Sequence, residues 1–145
     1  MKGEMIIYQF KNEQLMAASE KGLCALFLGN DEVELVNELQ RRFPKAELMA
    51  GEVTYKGVLD ERGTSFQKSV WKAIREIPIG KTMTYSEVAL RVGKSDAVRA
   101  VGTACGANPI AIITPCHRVV GKDGKLHGYR WGLDKKIRLL EMEKV

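Results

Sequence analysis

Apolar positions change their period along the chain, and the change divides it into an extended first part and a helical second part. Short apolar runs at residues 5–10 and 15–18 flank the polar stretch Lys11-Asn12-Glu13-Gln14 and are followed by Gly22-Leu23-Cys24-Ala25-Leu26-Phe27-Leu28-Gly29. This pattern predicts three strands of an antiparallel sheet. Asn30 is placed to cap a helix from Asp31 to Arg42, with acidic residues at its start, Arg41 and Arg42 at its end, and Val33, Val36, Leu39 and Phe43 facing inward. Pro44 stops it. Residues 45–63 have little periodicity and carry Gly51, Gly57 and Gly63, so they read as a connecting segment with a short strand at Val53-Thr54-Tyr55.

From Thr64 the spacing becomes helical. Thr64-x-x-Gln67 is a capping box opening a helix with Phe66, Val70, Trp71, Ile74 and Ile77 on one face, ended by Pro78 and Gly80. A second box, Thr84-x-x-Glu87, opens a short helix from Tyr85 to Arg91, with Val88, Ala89 and Val92 inward and Gly93 as a left-handed cap. Ser95 is predicted to cap a third helix, from Asp96 to about Ala107. Two helices joined at Gly93-Lys94 fit a helix-turn-helix. The run Ile110-Ala111-Ile112-Ile113 reads as a buried strand, and Asp123-Gly124 as the turn of a hairpin over Val119–Leu126. A last helix runs from Leu133 to about Glu143, with Leu133, Ile137 and Leu140 as its apolar face. The fold class is therefore α+β: an N-terminal lobe over residues 1–60, with an antiparallel sheet, one helix and a connecting segment, and a mainly helical lobe over residues 61–145.

Composition adds bounds. A chain of 145 residues with 45% hydrophobic and 28% charged positions is ordinary for a globular protein. The net charge of +5 is compatible with an anionic partner such as nucleic acid. The basic excess lies from Phe66 to Val145, whereas the first part is close to balanced. Three cysteines, Cys24, Cys105 and Cys116, make a poor disulfide framework and suggest a reducing compartment. With only His117 and His127 as histidines, no zinc site is expected. No apolar stretch approaches the ~18 residues of a membrane span. A soluble, cytoplasmic protein is expected.

Candidate chemistry centres on Pro115-Cys116-His117-Arg118-Val119-Val120. A thiolate is a strong nucleophile, and the neighbouring imidazole is a candidate base; equally, Cys116 could be a small buried hydrophobe and His117 a satisfied core histidine. The helix 96–107 consists almost entirely of small residues, with Arg99 its one long cation. That composition permits close approach to another surface, or tight packing on a neighbouring helix. The segment His127-Gly128-Tyr129-Arg130-Trp131-Gly132 suits a pocket for a flat ligand, or a surface plug with Arg130 stacked on an aromatic ring. Glu143, near the end of a surface helix, reads by itself as solvated.

Taken together, these residues resemble a known family. Pro115-Cys116-His117-Arg118-Val119-Val120 is similar to the active-site signature of the O6-alkylguanine-DNA alkyltransferases, or methylated-DNA–protein-cysteine methyltransferases. Val70-Trp71, Ile77-Pro78-x-Gly80, Thr84-Tyr85, Arg99-Ala100-Val101-Gly102, Asn108-Pro109 and Gly128-Tyr129-Arg130-Trp131-Gly132 follow the same family's DNA-binding and catalytic domain in order, the last block in its bacterial form. The resemblance implies single-turnover DNA repair: Cys116 takes the alkyl group from O6-alkylguanine, and from O4-alkylthymine, and is consumed. It implies His117 as base through a bridging water, Glu143 orienting it, Asn108 holding the turn before the cysteine, and Tyr85 at the phosphate and the leaving group. Pro115, Val119, Tyr129 and Arg130 would form the substrate pocket.

Double-stranded DNA would be met through the minor groove by Thr84, Tyr85, Ser95, Ala97, Val98, Arg99 and Ala100, with Arg99 filling the place of a flipped-out nucleotide. No cofactor and no metal are implied, and a monomer is expected. The competing reading is a non-catalytic damaged-DNA-binding module of the alkyltransferase-like type; Cys116 speaks against it, since such modules lack the acceptor. A second thiol able to resolve the alkylated cysteine is not expected.

Overall fold

The structure, a computed structural model, describes residues 3–126 and 128–144. His127, which the sequence places in the candidate pocket segment, lies outside the described residues. The chain divides into two compact units, Met1–Arg62 and Gly63–Val145.

The first unit is built on a four-stranded sheet in the order β3-β2-β1-β4. The strands β1 (Met5–Lys11), β2 (Gln14–Ser19) and β3 (Gly22–Leu28) are antiparallel, as their alternation predicts. Asn12 and Glu13 both have positive φ, 54° and 60°, so the β1–β2 turn has the mirror-image twist that matches two-residue hairpins. The helix α1 (Glu32–Arg42) is capped by Asp31, which accepts from the Glu34 N–H at 3.2 Å, and not by Asn30. Its buried stripe is Leu35–Leu39 with Phe43 beyond, spaced four apart, which leaves Val33 at 70% exposure and Val36 only half-buried.

The segment after α1 departs from expectation. The strand there is β4 (Glu47–Ala50), parallel to β1 with Met5 opposite Glu47, whereas 53–55 forms none. Glu47-Leu48-Met49-Ala50 has no β-branched residue and is mostly exposed, so its edge position comes from long-range pairing that local preference does not reveal. Val53 is buried, and its N–H bonds the Gln9 side chain at 3.0 Å. Arg62 ties the end of this unit to its beginning, reaching Glu4 at 2.8 Å and Asp60 at 2.7 Å.

The second unit packs helices around a core that includes Val70, Trp71, Ile74, Ile77, Val88, Val101, Ala104 and Val119. In α2 (Ser65–Arg75) both arms of the predicted capping box form, at 2.9 and 3.1 Å. Trp71 is buried, and its Nε1–H donates to the Ala104 carbonyl at 2.9 Å. That bond satisfies the indole and fastens α2 to a later helix, α4 (Val98–Ala107). Between them, α3 (Tyr85–Arg91) is capped by its own box at Thr84 and ends in a Schellman turn. Gly93 there has φ 76°, with Gly93 N–H on Leu90 O at 3.0 Å and Lys94 N–H on Ala89 O at 2.9 Å. The helix α4 begins at Val98 rather than Asp96, its cap residue Ala97 makes no side-chain cap bond, and a turn with Ala97 N–H on Lys94 O replaces the Ser95 cap.

Two further expectations change. Ile110–Ile113 is a tight turn, not a strand: Thr114 N–H bonds Ile110 O at 3.1 Å, and Ile112 sits at φ 69°. A β-branched residue there is strained by ~1–3 kcal/mol. The two-residue strand β6 (Val119–Val120) pairs in parallel with β5 (Met83–Thr84), not with residues 125–126. Asp123-Gly124 still turns the chain, with Gly124 at φ 77°. The helix α5 (Leu133–Met142) leaves Leu133 and Ile137 exposed and buries Lys136 instead.

Candidate active site

The site is assembled at the start of a single 3-10 turn, Cys116–Arg118, which follows the strained turn and precedes β6. Asn108, the C-terminal cap of α4, is buried and holds this turn with both ends of its amide. Its Oδ1 accepts from Ile110 N–H at 2.9 Å; its Nδ2 donates to Thr114 O at 2.8 Å and to Cys116 Sγ at 3.2 Å. One side chain therefore satisfies the buried backbone of the turn and addresses the sulfur directly.

Cys116 is 4% exposed, and its thiol lies well above the usual range. The first cause is a hydrogen-bonding contact with the Cys105 thiol, and the second is burial; the Asn108 amide and the Lys136 charge act in the opposite direction. At rest the sulfur is a protonated thiol, so reaction requires that its proton be removed.

His117 is fully buried, with Nε2 at 2.8 Å from Glu143 Oε2. Burial holds its pKa below the ordinary value, opposed by Glu143. The Glu143 carboxylate is gripped twice by Arg118, Nε to Oε1 at 3.0 Å and a terminal nitrogen to Oε2 at 2.9 Å; the other terminal nitrogen donates to Ile77 O at 2.8 Å. Arg118, and then the His117 contact, keep Glu143 below the usual carboxylate range. A neutral His117 donating Nε2–H to an ionised Glu143 leaves a lone pair on Nδ1, which is buried and has no hydrogen-bond partner among the described residues. The arrangement orients a base: carboxylate, imidazole, vacant basic nitrogen.

A cavity of about 240 Å³ opens beside the thiol, lined by Tyr85, Gly102, Cys105, Gly106, Cys116, Gly128, Tyr129 and Arg130. It is smaller than the ~300–1,000 Å³ typical of drug-sized ligands, as suits a single flat ring. A side-chain carbon added at Gly102 or Gly106 would meet nothing within 4 Å, so these glycines leave open space rather than relieve a clash. Tyr129 stands edge-on to His117, with ring centroids 6.4 Å apart, and its buried hydroxyl has no partner among the described residues. Burial raises the pKa of both Tyr85 and Tyr129, so both keep their protons. Arg130 stacks its guanidinium over Trp131 at 4.7 Å. A larger hollow of about 870 Å³ in the first unit is lined by Met5, Ile7, Val53 and Val58, and its charged residues Glu20, Lys21, Glu52 and Lys56 are exposed. Its lining has no cysteine or histidine, whereas the smaller cavity holds two thiols.

The expected site residues fall into two groups. Cys116, His117, Glu143, Asn108, Tyr85, Tyr129, Arg130, Pro115 and Val119 gather around the thiol or its cavity. Thr84, Ser95, Ala97, Val98, Arg99 and Ala100 lie on α3, α4 and their junction; Ser95, Val98, Arg99 and Ala100 are exposed, Ala97 is half-buried, and the Thr84 hydroxyl is engaged by the Glu87 N–H.

Three further residues enter. Lys136 is buried, donates to the Val119 carbonyl at 2.8 Å, and lies 6.0 Å from the Tyr85 ring centre. Its position seven residues before Glu143 places both on one helix face, a spacing that the predicted Leu133–Ile137–Leu140 face conceals. Arg118 belongs to the motif but carries no role in its sequence reading. Cys105 carries no sequence signal at all. Among the described residues, no three His, Cys, Asp or Glu side chains come together as a metal site.

Residues 65–145 match the family described as 6-O-methylguanine DNA methyltransferase, DNA binding domain. The chain belongs to this family. Methyltransferase-family relatives extend the likeness beyond that domain. The Escherichia coli bifunctional transcriptional activator/DNA repair enzyme Ada is 45% identical over 147 residues, which cover 89% of this chain but 42% of that protein. The methylated-DNA–protein-cysteine methyltransferase of Methanosarcina barkeri is 48% identical over 140 residues, covering 89% of each. Among solved structures, Mycobacterium tuberculosis OGT in complex with DNA aligns over 97% of this chain and 92% of its own, with a TM-score of 0.71 and 39% identity. These relatives agree with the α+β class read from the sequence.

Proposed function

We propose that the protein repairs alkylated DNA by moving an alkyl group from guanine O6 to Cys116 in one irreversible step. The observation that carries this reading is a buried thiol bonded by Asn108, adjoining the His117–Glu143–Arg118 array, at the wall of a cavity sized for one base. The kinship with methylated-DNA–protein-cysteine methyltransferases supports it.

In this reaction His117 Nδ1 takes the thiol proton through a bridging water, and Glu143 steadies the imidazolium that forms. Sγ attacks the alkyl carbon in line as the bond to O6 breaks. The electron pair leaves on the guanine, where the Tyr85 hydroxyl, which keeps its proton, polarises the oxygen. Lys136 already occupies one lone-pair direction of the Val119 carbonyl, leaving the other for the base's amino group. The product is a thioether, which a neighbouring thiol does not readily cleave, so each protein acts once.

A base within a duplex cannot present its O6 alkyl carbon to a buried sulfur, so the nucleotide is flipped out. The exposed small residues of α4 enter the minor groove, and Arg99 occupies the space vacated. This favours binding of damaged duplex with little sequence preference.

Mixed with an excess of duplex carrying O6-methylguanine, the protein should remove one equivalent of lesion and then stop. Continued turnover would contradict a consumed acceptor. Arg99→Ala should slow duplex repair about tenfold or more, while reaction with free O6-benzylguanine changes little; equal losses on both substrates would remove Arg99 from the flipping step.

Glu143→Gln should slow transfer on the order of 10²-fold, as expected when a general base loses its orienting partner. The pH profile adds a sign. His117 is held below its ordinary ~6.5, so the wild-type rate should stay level on acidification past that value and fall only below it. Removing the charge of Glu143, which pulls the His117 pKa up, should move that fall to still lower pH. A wild-type fall centred above ~6.5 would contradict the burial argument.

A further inference from the structure

Cys105 and Cys116 come from different elements, α4 and the 3-10 turn, and Asn108 links them, its backbone N–H donating to the Cys105 carbonyl at 3.3 Å and its Nδ2 to Cys116 Sγ at 3.2 Å. Both line the same small cavity, and both are free thiols. Cys116 is buried and Cys105 half-buried, so the pair is reached through that cavity by small molecules rather than by large ones. The third cysteine, Cys24, belongs to the other unit, where it is buried and its thiol donates to Ala17 O at 3.5 Å. The second unit thus has two thiols at one cavity, and the first unit holds the third cysteine.

We propose that Cys105 and Cys116 form a redox-active dithiol, which a hydroperoxide closes to an intramolecular disulfide and a thiol reductant reopens. In the first step one sulfur of the pair, as thiolate, attacks a peroxide oxygen. The O–O bond breaks, the departing alkoxide or hydroxide takes up the proton that the thiol released, and a sulfenic acid remains. In the second step the other sulfur displaces hydroxide from that sulfenic acid, and the hydroxide leaves as water with the second thiol's proton. The balance is two thiols and one hydroperoxide giving one disulfide, one alcohol or water, and one water. Both thiols line one cavity of about 240 Å³, so closing the ~2.0 Å bond takes rearrangement within that cavity. Closing the pair keeps Cys116 from higher oxidation, which is irreversible, and holds it in a recoverable form. The pairing itself does not depend on the alkyl-transfer reading; only its consequence, a masked acceptor, rests on that reading.

The test uses the intact, reduced protein, treated with hydrogen peroxide, freed of oxidant and blocked with iodoacetamide. Free thiols should fall from three to one, the monomer should lose two hydrogens in mass, and digestion without reductant should join the Cys105 peptide to the Cys116 peptide. Dithiothreitol should return all three thiols and, with them, methyl transfer from O6-methylguanine DNA. Cys24→Ser should form the same link, and Cys105→Ser should form none and gain oxygen at Cys116 instead. Overturning results are oxidation of Cys116 to sulfinic acid in the parent with no linked peptide, or linkage only between molecules or through Cys24. Because the disulfide is read by mass, a protein that forms it but transfers no methyl group would sink the repair reading and leave the dithiol standing.

Discussion

A Cys116→Ala protein is expected to transfer no alkyl group at all, while still binding damaged duplex within about twofold of the parent. In the proposed reaction Cys116 supplies the atom that forms the new bond, so the loss is complete rather than graded. Binding should survive because the proposed DNA contacts Val98, Arg99 and Ala100 are exposed, whereas Cys116 is buried. The fold should tolerate the change, since alanine fits the space of a thiol and Asn108 keeps its bonds to Thr114 O and Ile110 N–H. Transfer measured from O6-methylguanine duplex, beside binding to the same duplex, separates the two effects. Persistent transfer would place the acceptor elsewhere, and lost binding would make Cys116 part of the DNA-binding surface.

Arg118→Ala should cost about 2–4 kcal/mol of unfolding free energy and most of the activity. The guanidinium is nearly buried; it grips Glu143 through two nitrogens and the Ile77 carbonyl through a third. Its removal leaves a partly buried carboxylate and a buried carbonyl without their donor, which costs more than the pair contributes net. The depressed pKa of Glu143 gives the effect a pH dependence. The ionised carboxylate contributes stability above its unfolded-state value, ~4.3, and that contribution is lost as pH falls through the lower folded value. The difference between parent and variant should therefore be full at neutral pH and shrink in acid. Urea unfolding at several pH values measures it, and a pH-independent difference would point to lost packing rather than lost charge.

The two capping boxes and the β1–β2 pair were legible because each depends on residues within a few positions of one another. Thr64-x-x-Gln67 and Thr84-x-x-Glu87 form the expected reciprocal bonds, and Gly93 ends its helix through its left-handed backbone. The errors fall where distant parts of the chain decide. Ile110–Ile113 is apolar enough for a buried strand, but the Asn108 amide satisfies its backbone as a turn, and hydrophobicity cannot distinguish the two. β4 exists because β1 offers it an open edge. On α5, burial of Lys136 follows from the Val119 carbonyl waiting for a donor, a fact absent from any local pattern.

The reactive centre divides in the same way. Cys116 and His117 announce themselves as neighbours in sequence, and the family resemblance directs attention to Glu143. The sharing of that carboxylate between His117 and Arg118 appears only in three dimensions. Cys105 shares no spacing motif with Cys116, so no local pattern points to a second thiol; folding α4 against the turn that Asn108 holds places both at one cavity.

The proposed acceptor role of Cys116 is tested by peptide mass analysis of the protein after reaction with duplex DNA containing O6-methylguanine. One added methyl group per protein is expected, on the sulfur of Cys116. A methyl group on Cys105 or any other residue, or none while the lesion disappears, would contradict it.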